Sequence, residues 1–392
     1  MSKTAIVVIH GMGNQYPMET ITRFAENFFT KKIYSAPDRV SGSLDHRKLI
    51  GYDGNNNRYD CFEFYWAHLV EEPKMAETLS WIFNILYFKK SSERFKLYKL
   101  FLQMFLPVVV LGLLYGIYWY YENCIIGFMS ESALIQLGII FSPIIIYYFL
   151  KKIVGVLSKS FGDVIRYTVP HPKNIGIRQR ISKSAVDFLT NLHADNEYDE
   201  IAIVGHSLGS IIAYEMIVNT FGNLNKSFGN KSGVTQNDAN NINLMNDPEL
   251  RRAGLGPEFA WKVNDFITCG SPLCHAHMLM VKNEDAFIKK VDKGEYPVCP
   301  ANREDLFYPN KEDSNYFIPT HDSVFSFMRW TNIFFTNDAV GGNLKNIFGG
   351  DIVDHKEKPK TYTGIRNSHS QYWNKDEEPE AFKIIKDALK IR

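Results

Sequence analysis

Apolar and polar positions alternate in blocks along this chain, and the blocks lay out its elements. Ala5–Ile9 is an unbroken apolar run in which four of five residues are β-branched, which predicts a strand buried on both faces of a parallel sheet. Cys61–Trp66 is a second candidate strand. Over Arg180–Leu192 the residues Ile181, Ala185, Phe188, Leu189 and Leu192 share one stripe at helical spacing, so this segment reads as an amphipathic helix. A polar turn leads into EIAIVGHSLGS and then SIIAYEMIVNTF, which reads as strand, sharp glycine-flanked turn and helix. Strand candidates recur at Val263–Thr268 and Phe325–Phe335, and the alternation predicts an α/β fold with a mostly parallel sheet. No internal repeat is visible, which excludes a solenoid or propeller reading.

Two longer uncharged stretches interrupt this pattern. The first, 100–121, is 22 residues without Lys, Arg, Asp or Glu, and the second, 132–150, is 19. At ~1.5 Å per helical residue the first covers a ~30 Å hydrocarbon core. The pair reads as a transmembrane helical hairpin. Pro107 and Pro143 are tolerated in such spans, and Tyr118, Trp119, Tyr120, Tyr147 and Tyr148 lie near their ends, where aromatic belts form. Lys89, Lys90, Arg94, Lys96 and Lys99 precede the pair, Lys151, Lys152 and Lys159 come after it, and the connection 122–131 holds no Lys or Arg. The positive-inside rule then puts both long flanks on the cytoplasmic side. A buried helical pair in a large core, or a shallow hairpin entering one leaflet, remain alternatives. The expected organisation is 1–78 as the first part of a core, 79–160 as the membrane segment, and 161–392 as the rest of the core. A polar insertion at about 219–257 is expected as a long loop, serving as a lid or as a plain surface insertion.

Composition narrows the function classes. The chain has 392 residues, with 44 Lys plus Arg against 43 Asp plus Glu, and this balance gives no support to nucleic-acid binding. The basic stretch Lys151–Lys183 holds eight Lys or Arg and one acid, Asp163, so it suits anionic headgroups or a solvated face. The five cysteines include no CxxC pair, which argues against a disulfide framework and a zinc ribbon. Cys269, Cys274, His275 and His277 match no common zinc spacing and read as core cysteines with polar histidines. The apolar run at the N-terminus is too short for a signal peptide, so the chain is expected to begin in its folded domain.

The chemistry-bearing motif is Gly205-His206-Ser207-Leu208-Gly209, G-x-S-x-G with strand before and helix after. Glycines on both sides let a strained turn lift the serine hydroxyl clear of the sheet. A serine hydroxyl is a weak nucleophile at neutral pH and needs a base, which needs an orienting carboxylate. A later Asp and His are therefore required.

With these residues in hand, the chain resembles the α/β-hydrolase superfamily, in its lipase-like branch. Besides Gly205–Gly209, the resemblance rests on IVVIHGMGNQ (Ile6 to Gln15), similar to the His-Gly-x-Gly strand-loop of lipases, and on FITCGSPL (Phe266 to Leu273). WTNIFFTNDAVGG (Trp330 to Gly342) and HSQYW (His369 to Trp373) are weaker matches. It covers about half the chain and omits the hairpin. The resemblance implies that Ser207 is the nucleophile, Asp338 the orienting acid and His369 the general base, in the chain order Ser, Asp, His. It implies oxyanion donors at the backbone N–H groups of Met12 and Leu208, supporting places for His10 and His206, and no metal or organic cofactor. Asp322, Asp351 and Asp354 stand as alternative acids and His321 as an alternative base. Because the strand bearing His10 and Gly11 comes first, the sheet is expected to be reduced at its N-terminal edge.

These features together lead to one expectation, a membrane-bound lipase or phospholipase facing the cytoplasm from a bacterial inner membrane or an intracellular membrane. It would cleave lipid carboxylic esters through an acyl-enzyme intermediate, with membrane lipids as its partners. Two alternatives remain open: an esterase or thioesterase acting on acylated membrane proteins, and a non-catalytic membrane-anchored interaction protein on the same scaffold.

Overall fold

The computed structural model describes residues 3–12, 16–42, 45–70, 112, 116, 167–168, 172–195, 197–256, 259, 261–281, 283–302, 305–338, 340–360 and 369–391. The chain divides into two units, Met1–Glu71 with Arg166–Arg392, and Glu72–Ile165. Every strand among the described residues belongs to the first unit. Apart from residues 112 and 116, the expected spans at 100–121 and 132–150 lie outside the described residues. Among the described residues no helix is long and apolar enough to cross a membrane.

Eight strands form the main sheet: β1 (Thr4–Ile9), β2 (Tyr34–Pro37), β3 (Arg47–Tyr52), β4 (Arg58–Glu63), β5 (Glu200–His206), β6 (Val263–Cys269), β9 (Arg329–Phe335) and β10 (Val353–Glu357). β7 (Phe307–Pro309) and β8 (Phe317–Pro319) form a separate antiparallel pair. The order across the main sheet is β10-β9-β6-β5-β1-β4-β3-β2. From β10 to β4 every pairing is parallel, and β3 and β2 run antiparallel at the edge. The predicted mostly parallel α/β sheet is therefore present, with β1 and β5 at its centre.

Strand periodicity divides the apolar side chains between two layers. On one face Ile6, Val8, Ala202, Val204, Ile267, Ile333 and Phe335 form a cluster with Ile21, Phe24, Ala25 and Phe28 of helix α1 (Glu19–Phe28). Ile385, from a helix near the C-terminus (Pro379–Ala388), joins the same cluster. On the other face Phe62 and Phe64 meet Phe188 of α2 (Pro172–Ala194), while Tyr214 of α3 (Leu208–Ser232) meets Trp330. The predicted stripe Ile181, Ala185, Phe188, Leu189 and Leu192 is buried throughout.

Three expectations need correction. The N-terminal edge is not reduced, because β2 and β3 fill it, arriving after β1 in the chain rather than before it. Pro37 ends β2, at the edge of the sheet where proline is tolerated. The polar insertion at 219–257 is largely helical: α3 runs on to Ser232 and is succeeded by α4 (Gln236–Leu244) and α5 (Pro248–Gly254). Caps explain these polar helices. Thr235 and Asp238 make a reciprocal capping box, and Asp247 accepts from the N–H groups of Glu249 and Leu250. Finally, the segment Phe325–Phe335 begins as a 3₁₀ turn, Val324–Phe327, and becomes strand only at Arg329.

Candidate active site

Because the central strands are parallel, their carboxyl ends gather at one end of the sheet, where Ile9 pairs with Gly205 and His206 with Cys269. That is where loops after such strands bring side chains together. Ser207 occupies the single residue between β5 and α3, at φ 52° and ψ −129°. A non-glycine residue there carries strain of ~1–3 kcal/mol. The turn is held by Ser207 N–H donating to Cys269 O at 3.0 Å, and by the Ser210 hydroxyl donating to Ser207 O at 2.6 Å. Both flanking glycines are sterically required. A Cβ on Gly209 would stand 2.3 Å from the Ile9 carbonyl oxygen, and one on Gly205 would stand 2.6 Å from Ser210 Cα.

Asp338 lies in the turn just past β9, and only 1% of its surface is exposed. Its Oδ1 accepts the Val340 N–H at 2.8 Å; its Oδ2 accepts His369 Nδ1–H at 2.8 Å and the Tyr372 hydroxyl at 2.6 Å. Burial alone would raise the Asp338 pKa. The His369 ring, the Tyr372 hydroxyl and the Val340 N–H outweigh it and hold the carboxyl well below the usual carboxylate range. Asp338 is thus an anion that fixes His369 with Nδ1 protonated, leaving Nε2 as the basic nitrogen.

His369 Nε2 and Ser207 Oγ are both buried and neither has a hydrogen-bond partner. No hydrogen bond joins them; base-to-nucleophile bonds commonly tighten only when substrate binds. The ring of His369 lies 5.0 Å, centroid to centroid, from that of His206, the neighbour of Ser207. Gly270, at φ +57°, makes this convergence feasible. A Cβ there would come within 2.8 Å of Tyr372, 2.9 Å of Asp338 Oδ2 and 3.0 Å of His369 Cε1.

The expected oxyanion loop passes directly over the serine, since a Cβ on Gly11 would lie 2.8 Å from Ser207 Cβ. Met12 is the residue after Gly11 in the chain. Leu208 is the first residue of α3, so its N–H has no intrahelical acceptor and sits at the positive end of the helix. His10 supports the loop: its Nδ1–H donates to Gly11 O at 2.8 Å and its ring stacks on Trp66. Burial pushes its pKa down to about 4.

The alternative site residues stand elsewhere. Asp354 accepts from Asn332, Leu344 N–H and Lys345 N–H, Asp351 pairs with Arg251, and His321 is bonded to Gly294 O. Asp322 is buried just before the 3₁₀ turn Val324–Phe327. Cys269 is in the sheet core, and the Cys274 thiol donates to Val340 O at 3.3 Å. Among the described residues no three His, Cys, Asp or Glu side chains are grouped to hold a metal.

Tyr372 and Gly270 are site residues that the sequence does not single out. Tyr372 lies three residues after His369 within the HSQYW segment, and Gly270 lies within FITCGSPL. Both motifs are visible in the sequence, yet neither spacing says that they converge on Asp338. The arrangement as a whole can draw a proton from a serine hydroxyl onto an imidazole backed by a buried carboxylate. Comparison with family models, with curated proteins and with solved structures finds no match to this chain.

Proposed function

We propose that this chain is a serine hydrolase of the α/β-hydrolase type, cleaving carboxylic esters of membrane lipids as a membrane-bound lipase or phospholipase. The observation that carries the proposal is the bond from His369 to the buried Asp338 carboxylate at 2.8 Å, in a site that also holds a serine on a strained turn at φ 52°. In the proposed reaction His369 Nε2 takes the Ser207 proton as Oγ bonds to the ester carbonyl carbon. The tetrahedral oxyanion is met by the N–H groups of Leu208 and Met12. His369 then gives its proton to the departing alcohol oxygen as the carbon–oxygen bond breaks, leaving an acyl-serine. Water, deprotonated by the same nitrogen, releases the acid and restores Ser207. Every proton moves between groups of the chain, substrate and water, so the scheme uses no metal or organic cofactor.

The choice of lipid rests on the two uncharged stretches 100–121 and 132–150 and their basic flanks. A hairpin there, between β4 and the serine strand in the chain, would tether the site to a bilayer with the domain on the cytoplasmic side.

The test is labelling by a fluorophosphonate probe in detergent and in liposomes, which reports an activated serine without prior choice of substrate. The wild type labels, and Ser207→Ala and His369→Ala do not. Absence of wild-type labelling in both environments refutes the hydrolase reading. Labelling without release of fatty acid from phospholipid or glyceride vesicles refutes the lipid assignment alone.

A further inference from the structure

His206 stands directly before Ser207, and the segment that carries His369 folds around its ring. His206 Nε2 lies 2.6 Å from the main-chain carbonyl oxygen of His369. A carbonyl oxygen can only accept, so Nε2 carries the hydrogen and Nδ1 the lone pair. The same ring meets Trp373 edge-on at 5.3 Å and Tyr372 at 6.0 Å, centroid to centroid. His369 is therefore gripped twice: at its side chain by Asp338, beyond β9, and at its main chain by His206, at the end of β5.

We infer that His206 is a positioning residue for the proposed reaction, holding the His369 main chain so that its imidazole stays in register with Ser207; this rests on the serine-hydrolase reading. An imidazole held only through Nδ1 can pivot about that single bond, and a displacement of ~1 Å at the reacting atoms can cost a hundredfold in rate. The second anchor removes the pivot, and it comes from the residue bonded to the nucleophile. A movement of the elbow is thereby transmitted to the base. Electrostatics suit the part. Burial, and then the positive charge of His369, push the His206 pKa down to about 3, so His206 stays neutral while its neighbour takes up a proton. The absence of a side chain at Gly11 leaves room for the ring, since a Cβ there would lie 3.1 Å from His206 Nδ1.

The experiment compares the full-length wild type in detergent with His206→Phe, which keeps a ring without the donor, and His206→Gln, whose amide nitrogen reaches the Nε2 position. Two quantities are read: the fluorophosphonate labelling of Ser207, resolved into probe affinity and maximal rate, and the downfield proton resonance of His369 Nδ1–H. His206→Phe lowers the maximal rate by at least about tenfold, changes probe affinity by less than about twofold, and broadens the resonance through faster exchange. His206→Gln restores the resonance and brings the rate to within about threefold of wild type. Should the Phe variant fail to fold, His206→Asn, whose amide stops short of that position, replaces it with the same expectation. Wild-type labelling and an unchanged resonance in the donor-less variant overturn the inference. So does a Gln variant as slow as the Phe variant, because packing rather than the hydrogen bond would then be responsible. If wild-type Ser207 does not label at all, the hydrolase reading fails, and the resonance alone still decides whether His206 anchors His369.

Discussion

Tyr372→Phe removes one oxygen atom from the site and leaves the ring in place. That oxygen donates to Asp338 Oδ2 at 2.6 Å and accepts the Phe335 N–H at 3.2 Å. The ring is stacked on Phe335 with centroids 4.3 Å apart, and Phe fills the same volume, so no cavity contribution enters. A hydrogen bond to a charged group contributes about 1.5–3 kcal/mol, and an orphaned buried N–H costs about 1 kcal/mol. The expected loss of stability is therefore about 3 kcal/mol, within the range a domain of ordinary stability survives. Its pH dependence has a definite sign. The folded Asp338 pKa is depressed, so the stability it contributes is fully present above the unfolded value of about 3.9 and is lost as pH falls through the lower folded value. The penalty of Tyr372→Phe is thus the same at pH 5 and pH 7.5 and shrinks only in stronger acid. Urea titrations monitored by tryptophan fluorescence give the numbers. Labelling of Ser207 falls less, about threefold to tenfold, because the Val340 N–H at 2.8 Å still fixes the carboxylate. A penalty under about 0.5 kcal/mol at pH 7.5 refutes the reasoning, since it would mean that the hydroxyl contributes nothing to the carboxylate.

Other substitutions probe separate parts of the molecule. Gly270→Ala sets a methyl group within 3.0 Å of Tyr372, Asp338 and His369 at φ +57°; labelling drops about a hundredfold, and unchanged labelling contradicts the close convergence at that glycine. Glu63, 2% exposed, has its pKa pushed up to about 7 by burial, against the Met18 N–H that bonds to it. The stability this proton gives is present below the unfolded carboxyl value and lost as pH rises through 7. Glu63→Gln therefore matches wild type in unfolding free energy from urea titration at pH 4 and exceeds it at pH 8 by roughly 3 kcal/mol, whereas equal differences at both pH values defeat the account. Thr235→Ala breaks the capping box at the start of α4; it costs about 1 kcal/mol with labelling intact, and no change in the urea midpoint would mean that the cap does not support this helix.

The buried half of the fold is legible in the sequence because burial on both faces writes itself as unbroken apolar runs. Ala5–Ile9 and Val263–Thr268 name their strands within one residue at each end. The rest is less visible for specific reasons. β2 is four residues, YSAP, with three exposed, and an edge strand so short leaves no periodic signal. β3 begins Arg47-Lys48 and alternates only over Leu49–Tyr52. The helices of the polar insertion are set by caps at Thr235 and Asp247 and bury few side chains, Ala239 and Ile242 in α4 and Arg251 in α5. A composition of Asn, Gly and Ser suggests a loop there, whereas local hydrogen bonds form helices.

The site shows the same division at higher resolution. Ser207 can be found because the strained turn demands small neighbours on both sides, so the backbone constraint is written into Gly205 and Gly209. Asp338 and His369 can be placed only by analogy, because a carboxylate beyond one strand and an imidazole in a distant segment meet through the sheet order β9-β6-β5, which no local pattern records. Tyr372, Gly270 and His206 belong to a further layer, defined by what they do to those two residues. One donates to the carboxylate, one leaves space for the imidazole, and one holds its main chain. Each looks locally like an ordinary aromatic, a turn glycine or a motif neighbour. Their common trait is that all three lie against the Asp338–His369 pair, which is why their parts emerge only from the assembled site.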